Sequence, residues 1–103
     1  MAANASVSIG NLITSKPGVY GGRPCLAGTR MPVHSIAVRR MEGMSAEQIL
    51  EEYPHLDLAR IHAALAYYYA NQKQIEDDLE AERRLGDELA AKYPNGWTRE
   101  TDR

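Results

Sequence analysis

From Leu58 to Leu85 the chain runs for 28 residues without a glycine or a proline. Its apolar positions, Leu58, Ile61, Leu65, Tyr68, Ile75 and Leu79, recur every three or four residues, with Gln72 filling the one gap. Such spacing predicts an amphipathic helix, and at about 1.5 Å per residue it would be roughly 40 Å long. A small domain cannot cover that length, so the rear of the helix is expected to project, into water or onto another molecule.

The residues before it are punctuated. Pro32 suits a helix start, because its missing N–H costs nothing there. Val33, Ile36, Ala37, Met41 and Met44 follow at helical spacing, giving a first helix of about 33–42 that Gly43 is placed to end. Ser45 with Gln48 forms a capping box, so a second helix starts at Ala46, with Ile49, Leu50 and Tyr53 inward and Pro54 stopping it. Asp57 is a good N-cap for the third.

Further upstream, Leu12-Ile13-Thr14 reads as a short strand after the Gly10-Asn11 turn, and Lys16-Pro17-Gly18 as a turn. Arg23 to Ala27 and Thr29 to Val33 read as two extended pieces hooked around Gly28. Pro24 and Pro32 each remove a ladder donor, so the pairing is brief. Residues 1–6 are expected to lack order.

The expected fold is mainly α: a trihelical helix-turn-helix domain with short N-terminal β-strands and a long C-terminal helix. Residues 1–70 would form the ribbon and helical domain. Residues 71–103 would form a charged helical extension and a tail, with a Pro94-Asn95-Gly96 turn between Tyr93 and Trp97. A core of this size is marginal alone, which favours a homodimer.

Charge is unevenly distributed. Residues 1–41 hold Lys16, Arg23, Arg30, Arg39 and Arg40 and no acid, so +5, while residues 42–103 carry −7. The basic front suits phosphates, and the acidic rear suits a basic protein partner. No apolar run is long enough for a membrane span, and the N-terminus does not resemble a secretory signal. With the single Cys25, which has no internal disulfide partner, a cytoplasmic location is expected.

In a helix-turn-helix the start of the last helix enters the major groove. With Ile61, Leu65 and Tyr68 turned inward, Ala59, Arg60 and Ala63 are expected to face DNA, Arg60 pairing with a guanine edge. Arg23, Arg30, Arg39 and Arg40 would take phosphates. On the projecting helix and tail, Ile75, Leu79, Leu85, Leu89, Tyr93 and Trp97 are the candidate partner contacts, with Gly86 a possible break.

The Gly21-Gly22 to Gly28 segment lacks the Gly-Lys-Ser/Thr of a phosphate loop, and no helix starts directly after its glycines. Nothing orients His34, His55 or His62 toward Cys25, whose neighbour Leu26 suggests a packed thiol. His55 and His62 do not have a recognised metal spacing. The acids Glu76, Asp77, Asp78, Glu80 and Glu82 spread around one helix. The chain is expected to be no enzyme and to need no metal or cofactor.

One block is specific. Gly22-Arg23-Pro24, Leu26 and Gly28-Thr29-Arg30-Met31-Pro32-Val33, then Gly43, Ser45, Glu47, Ile49 and Ala64-Leu65-Ala66-Tyr67-Tyr68, closely resemble the family known as domain of unknown function 433. The resemblance covers about half of the chain. It implies a VapB-type antitoxin that binds operator DNA through the helix-turn-helix and neutralises a PIN-like RNase toxin through its C-terminal segment. The alternative is a dimeric protein-interaction scaffold that never touches DNA.

Overall fold

The computed structural model describes residues 9–93. The expectations for residues 1–6, for the Pro94-Asn95-Gly96 turn and for Trp97 lie outside the described residues. The chain divides into two compact units, Met1–Gln72 and Lys73–Arg103. Among the described residues it is mainly helical, with one two-stranded sheet.

In the first unit a 3-10 turn, Ile9–Leu12, stands where the sequence offered a Gly10-Asn11 turn. It leads into β1 (Ile13–Thr14), which pairs antiparallel with β2 (Cys25–Leu26), Ile13 opposite Leu26 and Thr14 opposite Cys25. The expected hook around Gly28 closes with less: one antiparallel bridge between Cys25 and Pro32, in which the Leu26 N–H donates to the Met31 carbonyl and the Val33 N–H to the Pro24 carbonyl, each at 2.9 Å. Pro24 and Pro32 have no N–H to extend that ladder.

Three helices follow. α1 (Val33–Met41) ends at Gly43, whose φ of 95° lies in the left-handed region. There the Gly43 N–H donates to the Arg40 carbonyl and the Met44 N–H to that of Arg39, satisfying two carbonyls that the helix end would otherwise orphan. α2 (Ala46–Glu52) opens with the full capping box: the Gln48 N–H donates to Ser45 Oγ, and the Ser45 N–H donates to Gln48 Oε1. α3 (Leu58–Ala70) is capped by Asp57, whose carboxylate accepts the Arg60 N–H at 2.8 Å.

Leu26, Val33, Ile36, Ile49 and Ile61 are fully buried, joined by the small Ala37 and Ala64. α1 and α3 share the most extensive contact. Each large apolar side chain buried this way contributes roughly 1.5–3 kcal/mol relative to leaving it in water. Leu50, Tyr53 and Leu65, expected inward, are only half-buried. The three tyrosines part as helical geometry requires: Tyr68 is core, Tyr67 is half-buried and Tyr69 is exposed.

The helix expected to run unbroken through residues 58–85 does not. α3 stops at Ala70, and α4 (Gln72–Lys92) begins beyond Asn71, whose φ of −128° and ψ of 36° are not helical. The Asn71 N–H donates to the Tyr67 and Tyr68 carbonyls, and its side-chain Nδ2 donates to the Tyr67 carbonyl at 3.0 Å. A short amide that bonds nearby carbonyls offers the backbone an alternative to helix, so no glycine or proline was needed.

The second unit is described by α4. Gly86 lies within it and does not interrupt it. Its surface is laced with ion pairs one turn apart: Lys73–Asp77, Arg83–Glu80, Arg83–Asp87 and Arg84–Glu80. No helix among the described residues is long and apolar enough to cross a membrane.

Candidate partner-binding site

Three arginines that the sequence offered to DNA serve as struts between elements. Arg39 Nε donates to the Tyr53 hydroxyl at 3.1 Å, tying α1 to the segment before α3, and its Nη1 meets Glu42 at 2.8 Å. The Tyr53 hydrogen bond, then that of Glu42, raises the Arg39 pKa further above its already high range. Arg40 Nε donates to the Tyr69 hydroxyl at 3.0 Å, joining α1 to α3, and its Nη1 donates to the Met44 carbonyl.

Arg60 is the third strut. Its Nε donates to the Ala27 carbonyl at 3.0 Å and its Nη1 meets Asp57 Oδ2 at 2.7 Å, so the guanidinium binds α3 to the ribbon. It is half-buried rather than extended into water. Ala63, expected outward, is buried at 7% exposure, because the ribbon side of α3 is covered as well as the helical side. The solvent face of α3 carries Ala59, His62, Ala66 and Tyr69. His62 was missed by pattern reading, although its i, i+3, i+4 relation to Ala59 and Ala66 placed it there.

The electrostatics on this side are acidic. From Gly43 to Ala59 the chain holds Glu47, Glu51, Glu52 and Asp57 and no lysine or arginine, all four acids exposed. In a helix-turn-helix the helix before the reading helix crosses the phosphate backbone. Here that position would belong to α2, whose carboxylates repel phosphate. Arg23 is half-buried and engaged within the protein, whereas Arg30 is exposed.

α4 presents a different surface. Ile75 is already buried in the single chain at 2% exposure, which removes it from the candidate contacts. Leu79 and Leu89 are half-buried, and Leu85 is 56% exposed. Positions 79, 82, 86, 89 and 93 alternate three and four apart, the spacing of a seam that faces one partner. It reads Leu79, Glu82, Gly86, Leu89 and Tyr93, with Leu85 beside Leu89. A Cβ built on Gly86 would meet nothing within 4 Å, so the seam is open at its centre. Tyr93 is 39% exposed, with the Lys92 ammonium 6.0 Å from its ring centre.

The charged side chains of α4 pair along the helix, each such pair adding a little to helix stability. Arg83 grips Glu80 through two hydrogen bonds of 2.6 and 3.1 Å, with Arg84 adding a third at 3.3 Å. The Arg83 fork is the main cause that holds the Glu80 carboxyl down to about 2. Hydrogen bonding to Glu80 raises Arg83, and hydrogen bonding to Asp77 raises Lys73.

Residues 13–68 match the family model described as a protein of unknown function, DUF433. The uncharacterized protein y4eO of Sinorhizobium fredii is 42% identical over 60 residues, 58% of this chain. This chain spans only 27% of that relative's length. The crystal structure of a DUF433 member protein from Anabaena variabilis superposes with a TM-score of 0.62 at 34% identity, covering 68% of this chain and 69% of that one.

Proposed function

The chain belongs to the DUF433 family, whose function is unknown, and on that premise we propose that it is an antitoxin-type inhibitor that lays α4 and the following tail on a PIN-like ribonuclease. The observation that carries this reading is the seam of α4, with half-buried Leu79 and Leu89 on it, exposed Leu85 beside it and an open centre at Gly86. α4 holds seven acids against four bases. An RNase must attract phosphates with a basic surface, and an acidic helix competes for it.

The ion pairs along α4 support the same reading. A helix already ordered loses less entropy on binding than one that must fold there. Operator reading by α3 takes second place in this proposal. Arg60, the base-reading candidate, is held by Asp57 and Ala27, and α2 carries exposed carboxylates that would repel a phosphate backbone.

The test is capture from the native host with the full chain as bait, then assay of the captured protein on single-stranded RNA. A small stoichiometric RNase that the chain inhibits is expected. The Leu85→Asp, Leu89→Asp double variant should release it while the first unit melts unchanged. Retention by that variant, or no stoichiometric partner, refutes the reading.

A further inference from the structure

We propose that the open cavity between the Lys16–Val19 turn and the Leu26–Thr29 turn is a binding site for a phosphate group. The cavity, of about 320 Å³, is lined by Thr14, Lys16, Val19, Cys25, Gly28, Thr29 and Arg30. That volume is at the lower end of ligand pockets, which run from roughly 300 to 1,000 Å³. It goes beyond the role given to α4 and does not rest on it.

Charge selects the ligand. Of the five bases in residues 1–41, Arg39 and Arg40 are spent as struts and Arg23 is engaged elsewhere. The Lys16 ammonium and the Arg30 guanidinium make neither a hydrogen bond nor an ion pair among the described residues, and both residues are exposed. Those two cations line the same cavity, and among the described residues no carboxylate lines it with them. Two unpaired cations on one concave polar surface concentrate field on an anion placed between them. A phosphate offers each of them a charge-assisted hydrogen bond, and the Arg30 fork matches its geometry.

The scaffold under the cations is fixed. The Val19 N–H donates to the Lys16 carbonyl at 3.1 Å across Pro17-Gly18, with Gly18 at a φ of 83°. The Thr29 N–H donates to the Leu26 carbonyl at 3.0 Å across Ala27-Gly28, with Gly28 at 75°. Positive φ at the third position of both turns is what glycine supplies. Thr29 Oγ1 then donates to the Leu26 carbonyl at 2.8 Å and accepts the Met31 N–H at 3.0 Å, which locks the chain at Arg30 from both sides. The glycines do not cradle phosphate themselves. They hold the turns that carry the two cations.

The experiment is a titration of the ¹⁵N-labelled full chain at low salt with inorganic phosphate, with AMP and with a short random-sequence DNA duplex. Saturable shifts are expected at the amides of Lys16, Gly28, Thr29 and Arg30. Lys16→Gln and Arg30→Gln should each weaken binding about tenfold, the weight of one charge-assisted contact. Arg83→Gln, an equal loss of charge on α4, should not. Saturation by phosphate and AMP assigns the site to a free phosphate compound. Tighter binding of the duplex at the same amides, with the same loss in both variants, assigns it to a nucleic-acid backbone. Absence of saturable shifts with all three probes overturns the proposal, and so does binding that neither variant weakens.

Discussion

Arg60 and Asp57 close the first turn of α3 twice over: the Arg60 backbone N–H donates to Asp57 Oδ1 at 2.8 Å, and its Nη1 to Oδ2 at 2.7 Å. The same guanidinium reaches across 33 positions to the Ala27 carbonyl. One residue therefore joins a helix cap to the ribbon.

Asp57→Ala should cost about 1 kcal/mol in urea unfolding, the usual weight of a lost N-cap. Asp57→Asn keeps a capping oxygen and loses only a partly exposed ion pair, so it should cost less than about 1 kcal/mol. Arg60→Ala leaves the Ala27 carbonyl without its donor and should also lower the midpoint. A fully stable Arg60→Ala protein would mean that the strut contributes nothing.

Cys25 is buried at 4% exposure, and that burial pushes its thiol pKa up. The thiolate is the reactive form, so a raised pKa makes it scarce at neutral pH. Alkylation by iodoacetamide at pH 7.5 should be slow in the native protein and fast in urea. Native labelling as fast as in urea would refute the packed-thiol reading.

The helical punctuation was legible because each signal is local. Gly43, Ser45 with Gln48, Pro54 and Asp57 act within a turn of themselves, and each stands where the pattern put it. The roles of the arginines were not legible. Arg39 meets Tyr53 14 positions away and Arg40 meets Tyr69 29 away, and no periodicity reports such a partner. Ala63 failed for a related reason: a helix packed on two sides has no single apolar stripe, and the second cover came from the ribbon.

Asn71 is the break that pattern reading passed over, since a side-chain amide is a weaker signal than glycine or proline. Asn71→Leu removes the Nδ2 donor to the Tyr67 carbonyl and restores a good helix former. Helical carbon chemical shifts should then run without interruption from 58 to 92. A break that survives in this variant would show that packing, and not the amide, sets it.

Glu80 gives α4 a titration of its own. Its carboxyl, held at about 2 by Arg83 against an ordinary 4.5, is charged in the folded helix well below the pH at which an unfolded chain would protonate it. A depressed folded pKa gives stability that is complete above the unfolded value and is lost as pH falls through the folded one. Helicity around residues 80–87 should therefore hold near pH 5 and decline between about 4.5 and about 2. The side-chain carboxyl ¹³C shift of Glu80 isolates this group from Asp77 and Asp87, which share the helix. Because the fork is exposed, molar salt should weaken it and move that midpoint upward. Glu80→Gln removes the charge at every pH, so its local helicity should be lower at neutral pH and less steep on acidification. A Glu80 midpoint near 4.5 at low salt would show that the Arg83 fork does not hold in solution, and α4 would then meet its partner less ordered than its ion pairs require.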